Sequence, residues 1–321
     1  MRIGTLFSGI GAPEQGAKRV YKDLEMVFAC EYDKFARESF QANYEIEPEH
    51  FHIDVNDMDG TQYKDKVDII IGGSPCQAFS IAGLRLGLDD KRGQLIWQYH
   101  RIIMEASPEI FIYENVKGMV SDNNGKTLQD FLEVFRESGY FCHYAVLNTK
   151  EHGVPQNRER VYIIGFKDHE LYHRFQFADK MKLETRLKDV LELEGDRGYI
   201  SEEKIKSFQS GKSIFSERFK IWDLDKDYIA ACLDTRNPRD RRTQTFFYIN
   251  GKVGYCTSLE NWRLQDFPDE AYEKAKEAGV SNSQLYKQAG NSMSVNILEM
   301  IFRQIEKAKE KENTNTLMDF L

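Results

Sequence analysis

A cysteine that follows a short apolar segment is the first candidate for chemistry. Val67 and residues 69–71 form an almost continuous β-branched run that ends at Gly72 and Gly73. This pattern is typical of a strand that is buried on both faces of a parallel sheet. Cys76 would then lie on the loop leaving the carboxyl end of the strand, where ligands bind in open α/β sheets. Because free cysteines commonly pack as small apolar residues, the position alone leaves both interpretations open.

Four more residues suited to binding or catalysis each follow a predicted strand of their own: Gly9, Glu31, Asp54 and Glu114. Glu31 stands about 20 residues after the glycines, a spacing at which a carboxylate commonly accepts ribose hydroxyls. Asp54, together with Val55, is suited to an adenine amino group. Glu14 replaces the third glycine of the dinucleotide fingerprint, so pyrophosphate binding is not favoured. The set indicates a nucleoside site beside Cys76, although each carboxylate alone is compatible with a helix N-cap.

Strand and helix patterns alternate through the first half of the chain. Residues 141–147 and 161–166 predict the sixth and seventh strands, and residues 93–106 and 127–137 predict helices. The third strand runs into Asp54. This alternation predicts an α/β fold with a doubly wound sheet. Between about residues 172 and 256 the alternation fades into charged stretches with short β patterns, which predicts a second, smaller domain.

Composition narrows the class of protein. The chain has 321 residues, of which 41 % are apolar and 30 % charged, and no apolar run reaches the roughly 18 residues of a membrane span. A strand pattern begins at once, without a signal peptide, and the five cysteines include no Cys-x-x-Cys pair. We therefore expect a cytoplasmic protein without a membrane partner, a disulfide framework or a metal site. The net charge of -8 argues against a nucleic-acid partner unless a local basic face offsets it.

Seven short segments, in a fixed order, resemble those of a known family. They are residues 6–11 (LFSGIG), 72–80 (GGSPCQAFS), 92–95 (RGQL), 114–116 (ENV), 153–160 (GVPQNRER), 263–268 (RLQDFP) and 288–292 (QAGNS). The chain resembles the cytosine carbon-5 DNA methyltransferases of bacteria and phages. Three departures bear on cofactor packing: Thr5 where the family often has Asp, Ala12 where it often has Gly, and Tyr32 where Trp is common.

The resemblance implies a Rossmann-like, S-adenosylmethionine-dependent methyltransferase fold with a seven-stranded, mostly parallel sheet and a small target recognition domain. The expected boundaries are a catalytic domain at residues 1–171 and a target recognition domain at 172–270. Residues 271–321 would return to the catalytic domain through a helix at 295–311, with a flexible tail from about 310.

The resemblance also assigns catalytic roles. Cys76 would add to carbon 6 of the target cytosine, because this base becomes nucleophilic at carbon 5 only after such an addition. Glu114 would supply a proton at ring nitrogen 3, which requires a dry pocket that raises its pKa. Arg160 would bind the carbonyl oxygen of the base, and Arg158 would help to orient the cysteine loop and the substrate.

S-adenosylmethionine is the implied cofactor, with S-adenosylhomocysteine as its product. Its predicted binding residues are Phe7, Ser8, Gly9, Gly11, Glu31, Tyr32, Asp54, Val55, Pro75, Leu95, Asn291 and Ser292.

Double-stranded DNA is the implied partner, with the target cytosine flipped out of the stack. Residues 82–93 have the composition of a mobile loop that closes over substrate. Residues 236–242 carry four arginines and one aspartate, a local charge of +3 that offsets the acidic total. The predicted DNA-binding residues are Gln77, Ser80, Arg92, Arg236, Arg239, Arg241 and Arg242.

Further expectations concern the biological setting. A restriction-modification or phage self-protection role would give the enzyme a nucleoid-associated location and a cognate restriction endonuclease as partner. The apolar end at residues 316–321 faintly resembles peptides that bind bacterial sliding clamps. Two alternatives remain open: a tRNA cytosine-5 methyltransferase and a DNA-binding module that has lost catalysis. A cysteine hydrolase is disfavoured, because none of the seven histidines lies in an obvious partner motif.

Overall fold

A seven-stranded sheet forms the centre of the computed structural model, which describes residues 1–75, 94–194, 197–210, 219–235 and 244–318. The strand order is β3-β2-β1-β4-β5-β7-β6, and β7 runs antiparallel to both of its neighbours. This confirms the predicted mostly parallel sheet. The strands are β1 (Arg2–Leu6), β2 (Glu25–Cys30), β3 (Phe51–His52), β4 (Ile69–Gly72), β5 (Ile110–Val116), β6 (Phe141–Asn148) and β7 (Glu159–Phe166).

Both faces of the central strands are covered by helices. In β4, Ile69 and Ile71 belong to one apolar cluster and Ile70 to the cluster on the opposite face. This two-residue alternation follows from the pleat, and burial of both faces explains the uninterrupted β-branched run. The flanking helices are α1 (Ala12–Lys18), α2 (Lys34–Asn43), α3 (Gln94–Ala106), α4 (Gly118–Ser121), α5 (Lys126–Glu137) and α6 (His169–Arg174).

A second, three-stranded sheet lies within the predicted target recognition domain. Its order is β10-β9-β8, and it has its own apolar cluster, which includes Ile200, Phe208 and Phe246. The elements of this region are α7 (Leu187–Val190), α8 (Glu202–Ser210), β8 (Ile221–Trp222), β9 (Phe246–Ile249) and β10 (Lys252–Tyr255).

The last helices return to the large sheet. The Asn43 side-chain amide donates to the Ala271 carbonyl oxygen at 2.9 Å, and the Ser39 hydroxyl donates to the Gln288 side-chain oxygen at 2.9 Å. These contacts pack α10 and α11 against α2 and so bring the 288–292 segment back to the first strands. The helices are α9 (Ser258–Arg263), α10 (Asp269–Glu277), α11 (Asn282–Asn291) and α12 (Val295–Met318).

Two elements differ from the sequence prediction. The third strand covers two residues, Phe51–His52, and ends before Asp54. The terminal helix ends at Met318 and not at residue 311, which is consistent with the absence of Gly and Pro from residues 295–318. None of the helices in the described part of the chain combines the length and the apolar character that crossing a membrane requires.

A fully buried ion pair joins Arg197, which precedes α8, to Glu260 of α9. Arg197 and Glu260 both have side-chain exposures of 0 %, and their Nη2 and Oε1 atoms lie 2.8 Å apart. Glu260 also accepts backbone N–H groups of Glu192 and Thr257, each at 2.7 Å. The carboxylate therefore depends on the arginine for its charge balance and on the backbone for its remaining hydrogen bonds.

We expect Arg197→Met to lower the free energy of unfolding by about 3 to 5 kcal/mol, because it leaves the Glu260 charge buried without a partner. Urea denaturation at neutral pH measures this. The matched control is Lys226→Met, which breaks the exposed Lys226–Asp223 pair and is expected to leave the midpoint unchanged. A similar small effect from both substitutions would contradict the anchoring role of Arg197.

Candidate active site

A cavity of about 330 Å³ opens at the carboxyl edge of β1, β2, β4 and β5. It is the place at which sequence reasoning put the ligand, since the loops leaving parallel strands converge there. Its wall includes nine of the predicted site residues: Phe7, Gly9, Glu31, Pro75, Glu114, Arg158, Arg160, Asn291 and Ser292. The chain thus brings three of the four candidate catalytic residues and half of the candidate cofactor residues to one cavity.

The turn after β1 forms one side of the cavity. Phe7 adopts a φ of 55° and Gly9 a φ of 59°, both in the left-handed region. This conformation is unfavourable for a residue with a side chain, and such strain is concentrated at binding and catalytic sites. The turn directs Phe7 and Gly9 to the cavity wall.

Glu31 holds this turn from the end of β2. Its two carboxylate oxygens accept the Gly9 N–H at 2.8 Å and the Asp33 N–H at 2.7 Å. Burial raises the pKa of Glu31, and these two backbone bonds act in the opposite direction. Each carboxylate oxygen keeps a second lone pair, so Glu31 can also accept a hydroxyl from a molecule in the cavity.

The buried carboxyl group of Glu14 is hydrogen-bonded to Thr5, which leads into this turn. The Thr5 hydroxyl donates to Glu14 Oε1 at 2.6 Å, and Thr5 Oγ1 lies 2.7 Å from Ser8 Oγ. Glu14 Oε2 has no hydrogen-bond partner among the described residues. Burial raises the pKa of Glu14 to about 7, against the lowering effects of the Thr5 hydrogen bond and of Lys18. Sequence reasoning noted Glu14 only as a missing glycine, because nothing in the local pattern showed that the side chain turns inward.

This raised pKa predicts a pH-dependent stability difference. The folded protein holds the Glu14 proton up to about pH 7, whereas an unfolded glutamate loses it near 4.5. The stabilisation is therefore complete below pH 4.5 and is lost as the pH rises through 7. Glu14→Gln stays neutral, so its unfolding free energy relative to wild type is expected to rise by roughly 2 to 3 kcal/mol from pH 5 to pH 8.

Urea titrations at pH 5 and pH 8 check this expectation. The exposed Glu277, at the end of α10, provides the control substitution Glu277→Gln. Its difference in unfolding free energy from wild type should be the same at pH 5 and at pH 8. A constant difference between Glu14→Gln and wild type across this range would show that Glu14 is ionised in the fold.

A carboxyl group and a guanidinium meet on the wall of the cavity. Glu114 Oε1 lies 3.3 Å from Arg160 Nε, and both side chains are largely buried. Burial raises the pKa of Glu114, while Arg160 and then Arg158 partly counteract it. Glu159 pairs with Lys117 at 2.9 Å on the other side of β7, as expected from the alternation of side chains along a strand.

Arg158 connects three parts of the chain. Its Nη2 donates to the carbonyl oxygens of Ser292 at 2.8 Å and of Gly290 at 3.3 Å, and its Nη1 lies 3.7 Å from the Cys232 sulfur. Gln265 donates to the Ala289 carbonyl oxygen at 2.7 Å and supports the same segment. Arg158 therefore fixes the C-terminal part of the cavity wall.

Six predicted cofactor residues lie off the cavity wall. The Ser8 side chain is buried on the Cys30 backbone, and Gly11 packs so closely on Tyr44 that a Cβ would lie 2.1 Å from that ring. The Val55 carbonyl oxygen accepts from Arg101, and the residue belongs to a buried apolar cluster. The other three are Tyr32, which is 75 % exposed, Asp54, whose carboxylate caps the following turn, and Leu95, which packs against a core cluster.

Several wall residues were missed. Lys287 pairs with Asp33 at 2.5 Å, and Gln288 donates to the Phe35 carbonyl oxygen at 2.9 Å. The sequence carried one signal, since Lys287 stands four residues before Asn291 and shares its helix face. Eight predictions lie outside the described residues, namely Cys76, Gln77, Ser80, Arg92, Arg236, Arg239, Arg241 and Arg242, as does the proposed closing loop at 82–93.

The family model for C-5 cytosine-specific DNA methylase matches residues 1–307. The type II methyltransferase M1.ScrFI of Lactococcus lactis subsp. cremoris is 34 % identical over 314 residues, covering 95 % of this chain and 78 % of that protein. M.HhaI of Haemophilus parahaemolyticus, also a type II methyltransferase, is 30 % identical over 314 residues, with coverages of 94 % and 93 %.

Among solved structures, the Dnmt2 methyltransferase of S. pombe has a similar fold, with a TM-score of 0.74 at 18 % identity and coverages of 96 % of this chain and 98 % of that chain. The family match and the curated relatives confirm the resemblance seen in the sequence motifs. The chain belongs to the C-5 cytosine-specific DNA methylase family and is a DNA cytosine-5 methyltransferase.

Proposed function

We propose that this enzyme flips a cytosine out of duplex DNA at a specific sequence, forms a covalent adduct with it through Cys76 and methylates carbon 5. One observation supports the proposal above all: Glu114 and Arg160 line the same cavity as Phe7, Glu31 and Pro75. Cys76 directly follows Pro75 in the chain, which supports the proposal that a base held beside Glu114 and Arg160 would also meet the nucleophile.

The residues of the cavity fit S-adenosylmethionine. The volume lies in the range of small-molecule sites, and Glu31 has lone pairs free for ribose hydroxyls. Phe7 would contact the nucleoside, while Asn291 and Ser292 would close the cavity from the C-terminal side. Tyr32, Asp54 and Val55 follow the ends of β2 and β3, beyond the wall, and would meet the adenine. When bound, S-adenosylmethionine supplies an electrophilic methyl group.

The chain's own residues prepare the base. The Cys76 thiolate would form a bond to carbon 6 as the 5,6 double bond breaks, and the electron density that moves into the ring would draw a proton from Glu114 to nitrogen 3. Arg160 would hold the carbonyl oxygen of the base. After methylation, the carbon-5 proton would pass to solvent water as the bond between carbon 6 and the sulfur breaks, and the proton on nitrogen 3 would return to Glu114, which would restore the aromatic ring, the thiolate and the acid. Arg158 would keep the Ser292 segment in place throughout.

DNA binding would involve both domains, with 1–171 as catalytic domain, 172–270 as target recognition domain and 271–321 returning to the first. A groove of about 940 Å³ adjoins Cys232 and is lined by Lys150, Lys220, Lys226 and the half-exposed Tyr228. Lysines of this kind suit phosphate contacts. Gln77, Ser80 and Arg92 would contact the target strand, and the basic segment 236–242 would read the sequence through Arg236, Arg239, Arg241 and Arg242.

The relatives named type II methyltransferases support a restriction-modification role, and the orphan methyltransferase of Bacillus phage SPR supports phage self-protection. Under this proposal, a cognate endonuclease acts on the same site and the enzyme is associated with the nucleoid.

We also propose a sliding-clamp contact through residues 316–321. Titrating a peptide of residues 310–321 against a bacterial clamp tests this, and a lack of binding ends it.

Methyl incorporation into unmethylated genomic DNA and into tRNA, compared under the same conditions, tests the proposed function. Sequencing of the methylated cytosines should then reveal 5-methylcytosine within one DNA motif. The Cys76→Ala variant is the negative control and should not methylate DNA. Methylation of tRNA alone, or retention of DNA without any methyl transfer, would overturn the proposal.

A further inference from the structure

We infer that Tyr113 is a positioning residue for the reaction: its hydroxyl and the Asn115 amide hold Ser74, and so set the start of the cysteine loop relative to Glu114. The inference rests on the proposed function, because it concerns the geometry between the Cys76 nucleophile and the Glu114 acid. Sequence reasoning did not single out Tyr113, which reads as one more apolar residue of a buried strand.

The three side chains form a buried hydrogen-bonded group. The Tyr113 oxygen lies 2.7 Å from Ser74 Oγ and accepts from Asn115 Nδ2 at 2.8 Å. The same Asn115 nitrogen lies 3.3 Å from the Ser74 carbonyl oxygen, while Asn115 Oδ1 accepts the Val116 N–H at 2.8 Å. Ser74 is thus held at both its side chain and its backbone by groups on β5.

Alternation along β5 links this group to the acid. Tyr113 and Asn115 extend from one face of the strand, and Glu114, between them, extends from the other. Glu114, Asn115 and Ser74 all line the cavity. Ser74 precedes Cys76 by two residues, so their Cα atoms are at most about 7 Å apart. A single strand therefore sets the position of the acid and of the chain that leads to the nucleophile.

Gly73 shows how closely the end of β4 packs against the acid. A Cβ at this position would lie 2.8 Å from the Glu114 carbonyl oxygen and 3.0 Å from its Oε2 atom. A shift of residues 73–75 would consequently alter their contact with Glu114. The Tyr113 and Asn115 bonds oppose such a shift.

The hydroxyl of Tyr113 is not needed to fill the core. Its ring packs on Phe131 at 4.7 Å and on Tyr99 at 5.0 Å between centroids, contacts that a phenylalanine would also make. Burying a hydroxyl is unfavourable unless it is hydrogen-bonded. The bonds to Ser74 and Asn115 satisfy it, and they provide orientation that a phenyl ring cannot.

The test compares Tyr113→Phe with Tyr99→Phe, measuring the rate at which duplex DNA containing 5-fluorocytosine captures the protein. Tyr99 is the matched control, since it belongs to the same apolar cluster and its hydroxyl donates to the Ile112 carbonyl oxygen at 3.0 Å, away from Ser74. We expect Tyr113→Phe to slow capture and kcat by about tenfold, because small displacements of reacting groups are costly. For Tyr113→Phe, the DNA affinity and the KM for S-adenosylmethionine should stay within about twofold of the wild-type values. For Tyr99→Phe, the capture rate, kcat, DNA affinity and KM should all stay within about twofold of wild type.

A double-mutant cycle tests whether the effect of Tyr113→Phe arises through its hydrogen bond to Ser74. Ser74→Ala removes the same hydrogen bond from the other side, and the double variant Ser74→Ala/Tyr113→Phe should be no slower than the slower single variant. Ser74→Ala alone also serves if Tyr113→Phe fails to fold. Capture by Tyr113→Phe at the rate of Tyr99→Phe, or additive effects in the cycle, would overturn the inference and leave the proposed function intact. A wild-type protein that DNA never captures would overturn both.

Discussion

Replacing Cys76 with Ser is expected to lower methyl transfer to DNA by roughly 10⁴-fold or more, because a serine hydroxyl near neutral pH ionises far less than a thiol does and is a much weaker nucleophile. Without a nucleophile at carbon 6, carbon 5 of cytosine does not become electron-rich. Affinity for DNA and for the cofactor should persist, since neither depends on the covalent bond. Initial rates of methyl incorporation, together with DNA titrations, measure both effects.

Cys142→Ser is the control for this substitution. Cys142 lies in β6, where burial raises its thiol pKa to about 12, and it pairs with Gly165 on β7, five residues along that strand from Arg160. Its replacement should leave the methylation rate close to that of wild type. Equal rates for Cys76→Ser and Cys142→Ser would exclude a covalent mechanism through Cys76.

Glu114→Gln is expected to lower kcat by about 10²- to 10⁴-fold. Glutamine can donate a hydrogen bond to nitrogen 3 but cannot transfer a proton to it. Because burial raises the pKa of Glu114, the acid stays protonated to a higher pH than an exposed glutamate, and activity should fall as the pH rises through this pKa. A plot of kcat against pH for both forms is the measurement, and the variant should lack this fall.

Glu159→Gln provides the comparison, because Glu159 lies on the neighbouring strand and pairs with Lys117 outside the cavity. It should keep both the rate and the pH profile of the wild type. If Glu114→Gln retained the rate and profile as well, the proton would have to come from another group.

The fold could be predicted where a residue pattern has one physical solution. The β-branched residues 69–71 require burial on both faces, and the structure places them at the centre of the sheet. The two-residue strand at Phe51–His52 has no comparable pattern, so its end was placed too late. The end of the last helix was placed too early, since a polar segment without Gly or Pro gives no stop signal.

Part of the site could also be predicted, where one structural rule determines the position of a residue. The rule that ligands bind at the carboxyl ends of parallel strands was enough to place Glu31 and Glu114 on one cavity. It could not reveal Lys287 or Tyr113, because their roles depend on the packing of α11 against α2 and on the register between β4 and β5. Glu14 was missed because its environment, and hence its raised pKa, arises only from the folded chain.

Incubating the enzyme with S-adenosylmethionine and duplex DNA in which 5-fluorocytosine replaces the target cytosine would settle the proposed mechanism, because fluorine at carbon 5 cannot leave as a proton does. Peptide mass spectrometry should find the modified, methylated base attached to the sulfur of Cys76. Failure to form any denaturation-resistant complex with a preparation that methylates ordinary DNA, or attachment at another residue, would contradict it.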